Sequence, residues 1–303
     1  MHLHLHSFYS FLAGTLSIDR IIEQAGRAGY TALALTDTNN VTGVMEFYVK
    51  CRRAGIKPVI GAELRAGPVR CVALARSWDG YAAICRALTE LVISYPPARV
   101  VTDEGKDAMG EDAATGEGKD HLGTLSEILR RHADEQVILL SAHEGLLSAL
   151  DAIPAERFVE LCRHDEGRWP SLQRIARERG LRTVATNDVY FGAPKGRKLH
   201  GILRAIATNT TLGTLPPGVL APETAYFIGE EEFQRCFADI PDALAARRDI
   251  LDACTVEFDC DSSKFTRYRD VPDNARLQRL RTLTEEGFLQ RYPDASPRAR
   301  ERI

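Results

Sequence analysis

No run of about 18 consecutive apolar residues occurs in the 303-residue chain, so no segment has the length and hydropathy of a membrane-spanning helix. The N-terminus lacks the basic-then-apolar order of a secretory leader. Seven cysteines are scattered without a C-x-x-C pair, and an odd number at irregular spacing does not make a disulfide framework. Together these features predict reduced thiols and a cytoplasmic location. A strong excess of charge is also missing: the formal net charge is −3, so any contact with nucleic acid must use a local patch or a neighbouring domain. There is no internal repeat.

What is present begins at the first residues. In Met1-His2-Leu3-His4-Leu5-His6-Ser7, histidines alternate with apolar residues, so on a strand the three imidazoles share one face and Leu3 and Leu5 the other. Two imidazoles at i and i+2 can converge on zinc, manganese or iron. A polar surface strand is the alternative, and the spacing is wrong for an expression tag.

Short apolar runs then alternate with amphipathic segments. Strands are predicted at residues 3–6, 32–36, 58–64, 69–75, 137–141, 158–162 and 183–186. Helical patterns lie between them, as at 17–28, where Ser17 is a candidate N-cap and Ile18, Ile21, Ile22 and Ala25 form an apolar stripe ended by Gly29. The expected fold class is α/β, a distorted seven-stranded β/α barrel, with a doubly wound open sheet as the alternative. Residues 95–123 interrupt the rhythm with Pro96-Pro97 and a Gly-, Asp- and Glu-rich stretch, and read as a flexible insertion. The barrel is expected over 1–192. From 193 to 303 helical patterns dominate, and the last charged one ends without a C-cap, as though cut within a helix.

Candidate chemistry gathers at strand ends, where a β/α barrel assembles its site. His4 and His6 close the first strand, and Asp37, Glu63, His143 and Asp188 follow later ones. Imidazoles and carboxylates make a mixed shell for divalent metals, and a carboxylate such as Glu63 can bridge two ions. Singly, Asp37 and Asp188 serve equally well as helix caps or loop acceptors, and His143 as a structural histidine. Lys195, Arg197, Lys198, His200 and Arg204 form a basic cluster that would touch DNA phosphates or line a solvated helix face.

In order, His4-Leu5-His6-Ser7, Leu35-Thr36-Asp37-Thr38-Asn39-Asn40, Val59-Ile60-Gly61-Ala62-Glu63, Leu139-Leu140-Ser141-Ala142-His143 and Val184-Ala185-Thr186-Asn187-Asp188-Val189-Tyr190 resemble the motifs of the PHP (polymerase and histidinol phosphatase) domain. More narrowly they resemble the version at the N-terminus of the bacterial DNA polymerase III alpha subunit, replicative or error-prone. The segments Leu199-His200-Gly201-Ile202-Leu203-Arg204, Glu231-Glu232-Phe233 and Gly287-Phe288-Leu289-Gln290-Arg291-Tyr292 resemble the region between the PHP domain and the polymerase core of that subunit. The resemblance implies a polynuclear site for zinc, manganese, iron or magnesium, with His4, His6, Glu63, His143 and Asp188 at ligand positions. It also implies a polymerase core beyond residue 303 that carries nucleotidyl transfer and DNA contact. Independent phosphoesterase activity, or an interaction role in a truncated protein, are the other readings.

The sequence departs from that pattern at four ligand positions. Ala13 stands where an acid is usual, Thr38 and Arg70 where histidines are usual, and Tyr190 where an Asp-x-His motif would end. A neutral hydroxyl is a poor ligand, and a guanidinium cannot shed its proton to coordinate. Arg70 is therefore expected to place a fixed charge where a cation would sit.

Overall fold

Six of the predicted apolar runs become strands because small and branched residues let both faces be covered: every residue of β1 (Ala32–Leu35) and β6 (Val137–Ser141) is buried. The computed structural model describes residues 1–94, 99–101, 107–109, 120–259, 271–294 and 296–297. Its main sheet also contains β2 (Lys57–Ala66), β3 (Val69–Ala75), β7 (Glu156–Cys162) and β8 (Arg182–Thr186), in the order β1-β2-β3-β6-β7-β8. Neighbours are parallel except around β3, which runs antiparallel to both β2 and β6. A two-residue turn opened by Gly67, at φ +55°, joins β2 to β3 and sets Arg70 opposite Arg65. That register makes Arg70 a diagonal neighbour of Glu63 on the same face.

The seventh expected strand, residues 3–6, is not a ladder strand among the described residues. It contributes one bridge, Leu5 with Val189, because the Leu5 N–H is taken by the Thr36 side-chain oxygen (2.9 Å) instead of a backbone carbonyl. The segment still bonds on both sides. His6 N–H donates to Val189 O and Val189 N–H to His4 O, while Ala34 and Thr36 N–H donate to His2 O and Leu5 O. It thus links the two edges of a curled half-barrel.

Helices cover the sheet. In α1 (Ile18–Arg27) the Ser17 hydroxyl caps the first turn and Ile18, Ile21 and Ala25 are buried. The others in this unit are α2 (Val44–Arg53), α3 (Trp78–Ser94), α4 (His121–His132), α5 (Glu144–Ala149), α6 (Trp169–Glu178), α7 (Arg197–Ala207), α8 (Glu230–Cys236) and α9 (Pro241–Ala253). Most of the insertion expected at 95–123 lies outside the described residues. Within it are an antiparallel pair, β4 (Arg99–Val101) with β5 (Asp107–Met109), and the start of α4, capped by Asp120.

Residues 193–258, the first part of the expected helical segment, fall in one compact unit with the sheet, Met1–Phe258. The reason is apolar: Phe233 and Phe237 stack on each other and Phe237 on Trp169, while Ala243, Ala246 and Ile250 of α9 are buried. Arg247 of α9 adds hydrogen bonds to Met1 O and Glu230. A second unit, Asp259–Ile303, contains α10 (Arg276–Arg291).

Candidate metal centre

The alternation at the N-terminus places Leu3 and Leu5 in the core and leaves His2, His4 and His6 fully buried as well. Two of the three imidazoles reach the strand-end site. His2 instead packs against Tyr30, Phe227 and Phe233, with Nε2 3.0 Å from Ile228 O.

His4 is held by a residue that the sequence motifs do not flag. Its Nδ1 lies 2.8 Å from Glu160 Oε1, an oxygen that also accepts from Thr186 Oγ1 at 2.7 Å. The other nitrogen, Nε2, approaches Glu63 Oε2 (3.2 Å) and Asp188 Oδ1 (3.5 Å) without the alignment of a hydrogen bond. Glu160 was legible only as an acid inside a buried apolar strand, Phe158-Val159-Glu160-Leu161-Cys162, where an unpaired charge would be costly.

The Ser10 hydroxyl orients His6. Ser10 Oγ donates its one proton to Asp37 Oδ1 (2.7 Å), so it accepts from Thr38 N–H (3.0 Å) and from His6 Nδ1 (2.9 Å). Nε2 of His6 then faces Asp188 Oδ1 at 3.1 Å. The Tyr190 ring stacks on His6 at 4.3 Å.

Asp188 sits at φ +45°, a left-handed conformation that a non-glycine residue keeps only when its surroundings demand it. Arg70 Nη1 lies 2.5 Å from Asp188 Oδ2 and 3.4 Å from Glu63 Oε2. Thr38 Oγ1 donates to Glu63 Oε1 at 3.1 Å. Donor atoms of His4, His6, Glu63 and Asp188 all fall within 4.8 Å of one another, and this group could hold a metal ion.

Burial alone would raise the Glu63 and Asp188 carboxyls, but the close approach of His4 to Glu63 and the Arg70 charge beside Asp188 hold both below the usual carboxylate range. Burial works against charge on His4 too, yet the Asp188 and Glu160 carboxylates raise its pKa to about 10.

The remaining predicted residues are placed otherwise. Asp37 is buried, and its carboxylate accepts from Ser7 N–H, Ser7 Oγ and Ser10 Oγ, each at 2.7 Å, pinning the turn that follows His6. His143 stands outside the four-donor group: its Nδ1 accepts from Leu146 N–H at 3.1 Å as the N-cap of α5. Ala13 is buried, and its carbonyl accepts from His200 Nδ1 at 2.7 Å. The expected basic cluster divides. Lys195 and Lys198 are exposed, Arg197 is half-buried near Glu223, but His200 and Arg204 are buried on the packed face of α7. Arg204 is therefore not an outward phosphate contact.

The PHP domain pattern matches residues 2–191. The chain belongs to the PHP domain family. Beyond the PHP domain, similarity extends over nearly the whole chain to bacterial polymerases. It is 28% identical over 324 residues to the error-prone DNA polymerase of Mycobacterium tuberculosis H37Rv, covering 99% of this chain and 29% of that protein. It is 26% identical over 291 residues to the DNA polymerase III subunit alpha of Helicobacter pylori 26695, covering 87% and 24%. The chain thus spans under a third of these relatives. Among solved structures, a chain from Bifidobacterium adolescentis named for metal-dependent phosphoesterase activity matches at 14% identity with a TM-score of 0.42, over 78% of this chain and 95% of that one. An amidohydrolase from Chromobacterium violaceum matches at 16% identity and 0.41, over 62% and 87%. Likenesses this distant speak to neither substrate nor mechanism.

Proposed function

We propose that this chain is the N-terminal PHP module of a DNA polymerase III alpha-like protein, acting in replication or repair synthesis in the cytoplasm, and that its barrel supports the polymerase without hydrolysing phosphoesters. The observation that carries the reading is the Arg70 guanidinium bound to Asp188 and beside Glu63, a fixed cation lodged against two of the four donors.

A divalent ion held by His4, His6, Glu63 and Asp188 would supply Lewis acidity and a bound water of lowered pKa. The Nε2 of His4, which makes no aligned hydrogen bond, is the nitrogen such an ion would take, in place of the proton that the neighbouring carboxylates hold there. A second ion bridged through Glu63 finds no free partner among the described residues of the four-donor group. Thr38 and Arg70 both engage Glu63, the carboxylate that would bridge, Tyr190 offers a ring face to His6, and Ala13 has no donor side chain. What the residues themselves do is neutralise one another: Arg70 offsets Asp188, and Glu160 holds His4 in place.

Support for a larger parent comes from α7, which leaves Leu199, Ile202 and Ile206 39–60% exposed at i, i+3 and i+7. A polymerase core would cover that stripe and make the contacts with DNA.

The test is hydrolysis of 4-nitrophenyl phosphate and of 3′-labelled single-stranded DNA by the purified chain with manganese, zinc or magnesium. Turnover no faster than in protein-free controls is expected. Robust metal-dependent hydrolysis, abolished by Glu63→Gln, would instead establish an independent phosphoesterase, the reading that the four-donor group favours.

A further inference from the structure

A second set of ligand chemistry meets where β7 ends and the chain turns after β8. Cys162 Sγ, a ring nitrogen of His164 and a carboxylate oxygen of Asp188 lie within 4.8 Å of one another. Cys162 ends β7 and points to the same face as Glu160 two residues earlier, into the site; it is 1% exposed. His164 comes next, in a 3-10 turn, Arg163–Arg168. Its Nδ1 lies 3.1 Å from Thr224 Oγ1, whereas its Nε2 is buried with no hydrogen-bond partner. An imidazole oriented through one nitrogen and bare at the other has the arrangement of a metal ligand with its supporting partner already in place. The left-handed backbone of Asp188 aims the third donor at the same space.

We propose that Cys162, His164 and Asp188 form a site for a single borderline divalent cation, with zinc preferred. Thiolate, imidazole and carboxylate are a three-ligand zinc set that leaves a fourth position open, and the thiolate disfavours magnesium and manganese. On binding, the sulfur–metal bond replaces the S–H bond and the proton leaves to solvent. Arg70 occupies Asp188 Oδ2, and Oδ1 retains lone-pair capacity beyond its contact with His6 and the 3.5 Å approach of His4 Nε2. His164 and Thr224 are only half-buried, which gives the ion a way in. Only Asp188 is shared with the four-donor group, where Arg70 already supplies the positive charge, so an ion here lacks the metal neighbour needed for two-metal phosphoester chemistry, and this site and a non-hydrolytic barrel are compatible.

Cobalt(II) titration of the reduced, metal-stripped chain tests the site, because a cobalt–thiolate bond adds a near-ultraviolet charge-transfer band that histidine and carboxylate ligands do not. The band is expected to saturate at one equivalent, to bleach with one equivalent of zinc, to vanish in Cys162→Ser and to persist in Glu63→Gln. Thr224→Ala should weaken cobalt affinity about tenfold while keeping the band. No band in the unaltered chain, a band that survives Cys162→Ser, or its loss in a Glu63→Gln variant shown by circular dichroism to be folded, each overturns the assignment.

Discussion

Glu160 Oε1 lies 2.8 Å from His4 Nδ1, and both side chains are almost completely buried. The contact makes Glu160 the positioning residue of the first motif, since it fixes which way the His4 ring faces. Hydrogen bonds between charged partners contribute about 1.5–3 kcal/mol, and removing one partner of a buried pair costs about 3–5 kcal/mol. Glu160→Gln should therefore lose about 2 kcal/mol in urea unfolding and Glu160→Ala more. A raised histidine pKa gives stability that is complete below pH 6.5 and lost as pH climbs towards 10. Glu160→Gln should flatten that alkaline decline; an unchanged midpoint and slope would show that Glu160 does not hold the ring.

Arg70 is the residue on which the proposed loss of hydrolysis turns. Replacing it with methionine keeps the stem but leaves Asp188 and Glu63 without their cation, a loss of about 2–3 kcal/mol given that the guanidinium side chain is 31% exposed. The same change should open the His4, His6, Glu63 and Asp188 group to manganese. We expect manganese to raise the melting temperature of Arg70→Met and leave that of the unaltered protein where it is. Equal responses would mean that the guanidinium does not exclude the ion.

Much of this was readable from the residues, and the gaps have physical causes. Runs such as Ala32-Leu33-Ala34-Leu35 and Val137-Ile138-Leu139-Leu140 announce buried strands because nothing in them suits water. The diagonal pairing of Arg70 with Glu63 comes from hairpin register, which Gly67 sets. Glu160 stayed hidden because a single acid in an apolar strand shows no partner until His4 arrives from 156 residues away. His143 has a ligand's chemistry, but α5 starts immediately after it and takes its nitrogen as a cap. His200 and Arg204 look like members of a basic surface, yet at i and i+4 they share the inward face of α7.

Asp37 has the chemistry of a ligand, but its oxygens already accept from one backbone and two hydroxyl donors of the turn after His6. Asp37→Asn would turn an amide NH2 towards those donors, and a buried unsatisfied donor costs about 1–3 kcal/mol. We expect a loss of about 2 kcal/mol in urea unfolding, against near-neutrality for a change at exposed Asp79. A loss below about 0.5 kcal/mol, the scatter of surface substitutions, would show that the turn does not depend on this carboxylate.

His200 fastens two distant loops, and its chemistry makes that clasp sensitive to pH. Nδ1 donates to Ala13 O at 2.7 Å, and Nε2 accepts from Ala221 N–H at 3.0 Å, so the ring must be neutral: a proton on Nε2 would oppose the amide hydrogen. Burial pushes its pKa below the ordinary value of 6.5. As pH falls through 6.5 the unfolded chain takes up a proton that the folded chain resists, so stability declines with falling pH; above 6.5 the contribution is constant. The slope from this one residue is at most about 1.4 kcal/mol per pH unit. His200→Gln keeps a donor and an acceptor without a titrating group, and urea unfolding between pH 7 and 5 should show a shallower decline than in the unaltered protein. Parallel declines in the two proteins would mean that the clasp stays closed when the ring is charged.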